Sequence, residues 1–272
     1  MDKARSHRYA PPLFHASRKQ TNTHKADKTV VSTHCQITGS IKNSRRIVFF
    51  GGAGVSTESN IPDFRSDEGI YQEKKYRFSP EVMLSHTFFM RYPQEFYDFY
   101  FDKMIYPDAK PNPAHLALAR LEQQGKLTAV ITQNIDGLHQ EAGSKKVLEL
   151  HGSVLRNSCM DCGKQYDLDD MLAQRGSVPR CSCGGIIKPD VVLYEEGLDQ
   201  AVIEEAVWHI RHADCMIVGG TSLAVYPAAG LIRYFRGKHL VLINKTATSY
   251  DSDATLIIRE PIGKVLGEAV EL

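Results

Sequence analysis

The sequence predicts an α/β fold built on a doubly wound parallel sheet, with two smaller modules inserted. Short, nearly continuous apolar runs such as 47–50 and 215–219 alternate with helical patterns, which is typical of parallel strands covered on both faces. A glycine-rich turn follows the first of these runs directly. Two pairs of cysteines interrupt the alternation once, between 159 and 183. We therefore expect a Rossmann-like sheet with ligands at the carboxyl ends of its strands.

Length and composition narrow the class of protein. A chain of 272 residues with a formal net charge of +1 is long enough for one large core. This charge gives no general attraction to nucleic acid, and we expect no nucleic-acid partner by direct readout. No apolar run reaches the roughly 20 residues that a membrane span requires, so no membrane partner is expected. We predict a monomer in the cytoplasm.

The first 44 residues differ from the rest. Residues 1–46 hold ten Lys or Arg against two acids, and such a segment buries little apolar surface. Thr38-Gly39-Ser40 and Asn43-Ser44 interrupt any helical pattern. We expect residues 1–44 to form a disordered basic tail and residues 45–272 to form the folded domain. Organellar targeting by this tail is an open alternative.

The first half of the domain contains the helical module. A buried strand is predicted at Ile47–Phe50, and a long polar loop at 60–80. Aromatic residues at helical spacing predict small helices over 80–105, so the module spans about 60–110. A helix from Pro113 to Gln124 leads to a strand at Leu127–Thr132.

The second half returns to the alternation of strand and helix. The predicted elements are a helix at 201–212, a strand at 215–219, a helix at 228–235, a strand at 239–244, an edge strand at 256–258 and a terminal helix at 262–272.

The glycine turn suits a diphosphate. Gly52 and Gly54 carry no Cβ, so backbone N–H groups can approach phosphate oxygens closely. Thr57 stands where the usual dinucleotide fingerprint has its third glycine. The turn is therefore predicted to bind a dinucleotide in a form that differs from ordinary dehydrogenases.

The clustered cysteines predict a structural metal site. Cys159, Cys162, Cys181 and Cys183 form two tight pairs. Four thiolates suit tetrahedral zinc and leave no open position for water. One zinc ion would then hold a small module over about 154–188, with free cysteines or disulfides as the alternative.

Four motifs in order carry a family resemblance: Pro62-Asp63-Phe64-Arg65, Thr132 to His139, Leu148 to Ser153 and Gly220 to Pro227. With the cysteine pairs, they resemble the sirtuin family of NAD-dependent protein lysine deacylases over residues 45–272. Residues 181–185 and 189–194 are similar to the bacterial-type branch.

The resemblance implies an activity. An acyl-lysine protein or peptide would be deacylated with NAD, which gives nicotinamide, O-acyl-ADP-ribose and free lysine. His151 is implied to be the general base for a ribose hydroxyl, because an imidazole moves protons near neutral pH. Asn134 is implied to be the second catalytic residue, through a ribose hydroxyl or a water.

The resemblance also implies the NAD contacts. Asp136 would accept from the nicotinamide amide, with a helix N-cap as its structural alternative. Phe64 would shield the reactive sugar face, and Arg65 would neutralise phosphate charge or order its loop. The full expected set is Gly52, Ala53, Gly54, Ser56, Thr57, Asp63, Phe64, Arg65, Gln133, Asn134, Ile135, Asp136, His151, Gly220, Thr221, Ser222, Asn244, Lys245 and Ile262.

A substrate peptide is expected to add a strand between 191–194 and 222–225. The implied contacts are Val191, Val192, Leu193, Tyr194, Leu223 and Val225. Tyr194-Glu195-Glu196 replaces the Phe-Gly-Glu common in relatives. Relatives that remove acidic acyl groups often carry Tyr-x-x-Arg, whereas Tyr71-x-x-Lys74 stands here, so a simple or aliphatic acyl group is predicted.

Other functions stay open at this stage. NAD-dependent mono-ADP-ribosyl transfer to protein shares the first step and differs in the acceptor. A non-catalytic NAD-binding module is disfavoured by the polar residues 133–136 together with His151. A hydride-transfer dehydrogenase is disfavoured because Thr57 breaks the fingerprint.

Overall fold

A six-stranded sheet forms the centre of the protein. The computed structural model describes residues 35–66, 69–72 and 75–271. The strands of its larger sheet are β1 (Ile47–Gly51), β2 (Leu127–Thr132), β3 (Val147–Glu149), β7 (Cys215–Gly219), β8 (His239–Ile243) and β9 (Leu256–Ile258). Their order in the sheet is β3-β2-β1-β7-β8-β9, and every neighbouring pair is parallel. The predicted doubly wound fold is confirmed.

Helices connect and cover these strands. They are α1 (35–43 within the described residues), α2 (Pro80–Met83), α3 (His86–Arg91), α4 (Pro93–Lys103), α5 (Pro113–Gln123), α6 (Leu138–Glu141), α7 (Leu168–Leu172), α8 (Gln200–His212) and α9 (Ile262–Ala269). The helix predicted at 228–235 is a 3₁₀ helix over Ala228–Tyr234. The helices predicted at 113–124, 201–212 and 262–272 begin and end within three residues of α5, α8 and α9, whereas α1 and α7 were not predicted.

The sheet separates two apolar cores, because alternate side chains of each strand point to opposite faces. Ile47 and Phe49 of β1 pack with α5 and α9 on one face. Val48 and Phe50 pack with α8 and the 3₁₀ helix on the other. All four side chains have no exposed surface, which agrees with the predicted parallel sheet covered on both faces.

The N-terminal expectation is wrong for its described part. Residues 35–43 form α1, and Ile37 and Ile41 are 0% and 5% exposed. Both side chains join the core beside α5 and α9. Two apolar side chains four residues apart lie on one helix face, and this pair outweighs the local effect of Thr38-Gly39-Ser40. Residues 1–34 lie outside the described part of the chain.

A smaller domain stands at the carboxyl edge of the sheet. Its three-stranded antiparallel sheet has the order β5 (Gln165–Tyr166), β4 (Gly152–Cys159) and β6 (Ile187–Val191). The cysteine module and the helical module, predicted as separate insertions, share one core in which Phe96 and Tyr97 of α4 lie with Cys159 and Ile187. Neither module is therefore an independent unit.

No helix in the described ranges combines the length and apolar character that a membrane crossing needs.

Candidate active site

The sheet topology places a crevice between β1 and β7. From β1 the chain builds β2 and β3 on one side of the sheet, and it then returns to build β7, β8 and β9 on the other. The loops that follow β1 and β7 therefore separate at a topological switch point, where open α/β sheets bind ligands. The predicted motifs follow strands that end at this edge.

The glycines of the first turn serve a close approach between two loops. The N–H of Gly54 donates to the carbonyl of Gly220 at 2.7 Å. A Cβ on Gly54 would lie 2.8 Å from the Cα of Gly220, and one on Gly52 would lie 2.8 Å from the Cβ of Thr221. Sequence reasoning assigned both glycines to phosphate approach alone and missed this packing requirement, which only the pairing of β1 with β7 creates.

His151 is oriented by the backbone of the neighbouring loop. Its Nδ1 lies 3.0 Å from the carbonyl oxygen of Gln133. A carbonyl only accepts, so Nδ1 carries the proton and Nε2 of the neutral ring keeps a lone pair. Burial lowers the pKa of His151, while the bond to Gln133 opposes this. The ring is therefore a neutral base at physiological pH.

Gln133 also joins the loops of three strands. Its N–H donates to the Gly51 carbonyl at 3.0 Å, and its Nε2 donates to Thr221 Oγ1 at 3.0 Å. Through its carbonyl it holds His151. The loop after β2 is thereby fixed against the ends of β1 and β7.

Ser56, Asn134 and Asp136 form a polar chain beside this loop. Ser56 Oγ donates to Asp136 Oδ2 at 2.7 Å, and Asn134 Nδ2 donates to Ser56 Oγ at 3.0 Å. Asp136 Oδ1 accepts the Leu138 N–H at 3.0 Å, but the N-cap of α6 is Gly137, so Asp136 supports the turn before α6 and is not its N-cap. Burial raises the pKa of Asp136, while the bonds from Ser56 and Leu138 lower it.

Side chains of residues 63–66 and 71 order the described parts of the loop that follows the glycine turn. Asp63 Oδ1 accepts the N–H groups of Arg65 at 2.9 Å and Ser66 at 2.7 Å. The Arg65 guanidinium lies 5.2 Å from the ring centre of Tyr71, and Phe64 meets that ring edge-on at 5.6 Å. Asp63 therefore shapes the loop, and Arg65 is held by an aromatic ring. Lys74 lies outside the described residues.

Asn244 fixes the loop after β7. Its Oδ1 accepts the Thr221 N–H and its Nδ2 donates to the Thr221 carbonyl, both at 3.0 Å. On the other side, Glu58 Oε1 accepts the Gly263 N–H at 2.7 Å, at the start of α9. No local pattern indicates a role for Glu58, because its partner lies in a distant helix.

These groups surround one cavity of about 1300 Å³. Every residue predicted to contact the cofactor lines it, as do Val191, Val192, Leu193, Tyr194 and Val225. Leu223 is different, since its side chain is 3% exposed and packs in the core beneath the sheet. Residues that sequence reasoning missed also line the cavity, among them Glu58, Tyr100, Lys103, Tyr226 and Thr246.

Residues 191–194, the edge along which a substrate peptide was expected to pair (the peptide edge), already make backbone hydrogen bonds within the protein. The Val192 N–H donates to the His151 carbonyl at 3.0 Å. The Tyr194 N–H donates to the Leu84 carbonyl, and the His86 N–H donates to the Tyr194 carbonyl, both at 3.0 Å. Tyr194 therefore presents its side chain, rather than its backbone, to any ligand.

The four cysteines converge as predicted. Their sulfur atoms all lie within 4.8 Å of one another, with Cys159 Sγ to Cys183 Sγ at 3.5 Å and Cys162 Sγ to Cys181 Sγ at 3.6 Å. Tetrahedral zinc with Zn–S of about 2.3 Å requires S···S distances of about 3.8 Å. The N–H of Cys183 and the Tyr166 hydroxyl lower the pKa of Cys181 to about 6. The donor set fits one closed, structural zinc ion.

The crevice lies at the switch point of a Rossmann-like sheet, contains a buried neutral imidazole and is covered by a small domain with a four-cysteine cluster. This combination defines a nucleotide-dependent enzyme. Comparison with known proteins gives the family. The model of the Sir2 family matches residues 52–227. The chain belongs to the Sir2 family.

Relatives and solved structures agree with this membership. The chain is 63% identical over 228 residues to the NAD-dependent protein deacetylase of Clostridium acetobutylicum, covering 83% of this chain and 93% of the relative. A solved structure of Sir2 with a p53 peptide and NAD+ is 40% identical, with a TM-score of 0.77, covering 87% of this chain and 96% of that one. Another, with deacetylated p53 peptide and 3'-O-acetyl ADP ribose, has a TM-score of 0.80 at 40% identity, covering 88% and 98%. The predicted family is confirmed.

Proposed function

We propose that this chain is an NAD-dependent protein lysine deacetylase that converts acetyl-lysine, NAD and one water molecule into nicotinamide, O-acetyl-ADP-ribose and free lysine. The observation that carries the proposal is His151, whose Nδ1–H is held by the Gln133 carbonyl and whose ring lines the cavity with the glycine turn and the Asn134–Asp136 loop. NAD supplies an electrophilic ribose carbon from which nicotinamide departs.

His151 acts as the general base. Its Nε2 lone pair takes a proton from a ribose hydroxyl, and its Nδ1–H stays on Gln133. Burial lowers the pKa of this ring, so the ring stays unprotonated at pH values below about 6.5, the usual pKa of histidine. Gln133 sets the tautomer and the direction of the ring.

Three further groups bind and orient. Asp136 Oδ2, which accepts from Ser56 at 2.7 Å and lines the cavity, would accept from the nicotinamide amide in place of Ser56. Asn134 holds a ribose hydroxyl beside His151. Phe64 covers the reactive face and excludes water.

The diphosphate and adenosine lie along the other loops. Ala53, Gly54 and Thr57 of the glycine turn line the part of the cavity where the diphosphate would lie, with Arg65 as its cationic neighbour. Thr221, Asn244 and Lys245 bound the adenosine end of the cavity. The four cysteines would hold a zinc ion that would cross-link the small domain, which forms the opposite wall of the cavity.

The peptide lies along Val191–Leu193 and faces Val225, and a simple or aliphatic acyl group enters the cavity. Monomeric state and cytoplasmic location belong to the same proposal and rest on composition and the clustered cysteines.

One assay tests the proposal. The full chain is incubated with an acetyl-lysine peptide and NAD, while nicotinamide release and peptide mass are followed together. Deacetylation predicts one acetyl group lost for each nicotinamide released. Mass added to protein without loss of acetyl would instead support ADP-ribosyl transfer, and no nicotinamide release would contradict both enzymatic functions.

A further inference from the structure

The end of the expected peptide edge departs from ordinary backbone geometry. Glu195 has φ of 75°, in the left-handed region that favours glycine. A glutamate in this conformation is strained, because its Cβ approaches the following carbonyl oxygen, so a compensating interaction of its side chain is expected.

That interaction is made with the helical module. The carboxylate of Glu195 accepts the backbone N–H of Thr87 at 2.9 Å, in the first turn of α3. Its neighbour Glu196 makes a second tie, because its Oε1 lies 2.9 Å from Nδ1 of His86. Two consecutive carboxylates thus bind two consecutive residues of another element.

Glu196 also holds the peptide edge itself. Its Oε2 accepts two hydrogen bonds, one from the Leu193 N–H at 2.9 Å and one from Lys188 Nζ at 3.2 Å. Lys188 Nζ in turn donates to the Val191 carbonyl at 3.0 Å. Partial burial raises the pKa of Glu196, but the hydrogen bonds from His86 and Leu193 outweigh it and lower the pKa. The carboxylate is therefore charged at neutral pH.

The backbone between these contacts joins the same two elements. Tyr194 pairs with Leu84 and His86, and its hydroxyl lies 2.9 Å from the hydroxyl of Tyr71. Tyr71 belongs to the loop that holds Arg65. The peptide edge, the helical module and the loop that contains Arg65 and Tyr71 are therefore joined through a short set of polar contacts.

We propose that Glu195 and Glu196 are positioning residues for peptide recognition: they fasten the edge at 191–194 to α3, and thereby set the position of the cavity wall along which a substrate lies. The proposal rests on the proposed function, because it concerns where that substrate lies. Neither carboxylate is assigned any bond to the reacting atoms.

The kinetic test compares Glu196→Ala with Glu196→Gln. Alanine removes three contacts of the carboxylate, whereas glutamine keeps an oxygen for the Leu193 N–H. We expect alanine to raise the KM for an acetyl-lysine peptide on the order of ten-fold, with a much smaller effect on kcat and on the KM for NAD. Glutamine should restore most of the peptide KM.

A matched control removes an exposed carboxylate of the same module. Asp98 of α4 accepts a hydrogen bond from Gln94 at 2.9 Å and touches neither α3 nor the edge in any described contact. Asp98→Ala should leave both KM values unchanged. Equal changes in the KM for peptide and for NAD in Glu196→Ala would indicate a general structural defect and overturn the proposal.

A second measurement is independent of turnover. Amide hydrogen exchange of the full protein should quicken at 84–88 and 191–194 in Glu196→Ala, with exchange in β1 and β7 unchanged. An inactive wild-type protein that still showed this change would contradict the proposed function and retain the positional tie. An active protein whose edge and peptide KM are both unaffected by the substitution would contradict the tie alone.

Discussion

The two domains that enclose the crevice are stabilised in different ways. The large sheet buries long aliphatic runs, with Ile217 and Val241 on one face and Met216 and Leu242 on the other. The small domain has a core dominated by aromatic side chains, packed against two buried cysteines. Its aromatic members are Phe88, Phe89, Phe96, Tyr97, Phe99, Tyr100 and Phe101.

This difference shows which half depends on a ligand for its folding. Parallel strands with both faces covered bury enough surface to fold without a metal. The cysteine module has short strands, such as β5 with two residues, and draws its core from α4 in another module. So short a segment buries little apolar surface. Coordination of four sulfurs by one ion would supply the stabilisation that this surface does not give.

The largest expected effect is confined to the small domain. Cys159→Ser should lose zinc and lower deacetylase activity at least 100-fold, because structural zinc contributes about 10–16 kcal/mol to such modules. Bound zinc, activity and limited proteolysis would be measured together, with cleavage expected within 154–188 and an intact sheet. Cys35→Ser is the control, since Cys35 is exposed and outside the cluster. Full activity of Cys159→Ser without zinc would remove the contrast between the domains.

A substitution in the crevice between the domains should lower the rate of deacetylation and leave the stability of the fold unchanged. His151→Ala should lower kcat by about 10²- to 10⁴-fold, the usual contribution of a general base, while NAD binding is largely kept. Because burial lowers the pKa of His151, the acid limb of kcat/KM in the wild type should lie below about pH 6.5. His212→Ala, an exposed histidine of α8, is the control. Full activity of His151→Ala would exclude the ring from the mechanism.

The large domain contains its own acid-sensitive pair. His115 and His139 lie 4.7 Å apart between ring centres and are 0% and 1% exposed. Burial lowers the pKa of His115 to about 4 and lowers that of His139 well below its usual value. Below about pH 6.5 the unfolded chain binds more protons than the folded one, so stability is complete above that pH and falls between pH 6.5 and 4.

His115 alone should account for roughly 3 kcal/mol of this loss by pH 4. His115→Gln keeps a side-chain acceptor for the Asn112 N–H, which His115 Nδ1 now accepts at 3.2 Å, and removes the titration. Urea unfolding from pH 7 to pH 4 should show a shallower decline for the variant. Identical slopes would mean that the pair does not limit acid stability.

The smallest effect tests the corrected N-terminal boundary. Gly39 lies inside α1, and a Cβ built there meets nothing within 4 Å. Gly39→Ala should raise the free energy of unfolding by about 0.5–1 kcal/mol, because alanine favours a helix interior. Thermal unfolding would measure the gain. Gly163→Ala is a contrasting control, because its φ of 72° disfavours a side chain. No gain from Gly39→Ala would favour the disordered tail that the sequence predicted.

Much of the site could be predicted because each motif directly follows a strand. In a parallel sheet all such positions meet at one edge, so Gly52, Asn134, His151 and Thr221 had to converge once the strands were recognised. Glu58 and Tyr100 could not be found in this way. Their partners or surroundings lie in elements distant in sequence, and no local pattern announces them.

The sequence by itself determined the parallel sheet, the four-cysteine cluster and the family, since these depend on local periodicity, spacing and residue type. Tertiary structure alone decided that α1 is part of the core, that the two inserted modules share one interior, and that Leu223 is buried away from the cavity. The physical reason is the same in each case. Burial is a property of the surfaces that meet, and a single segment contains only one of them.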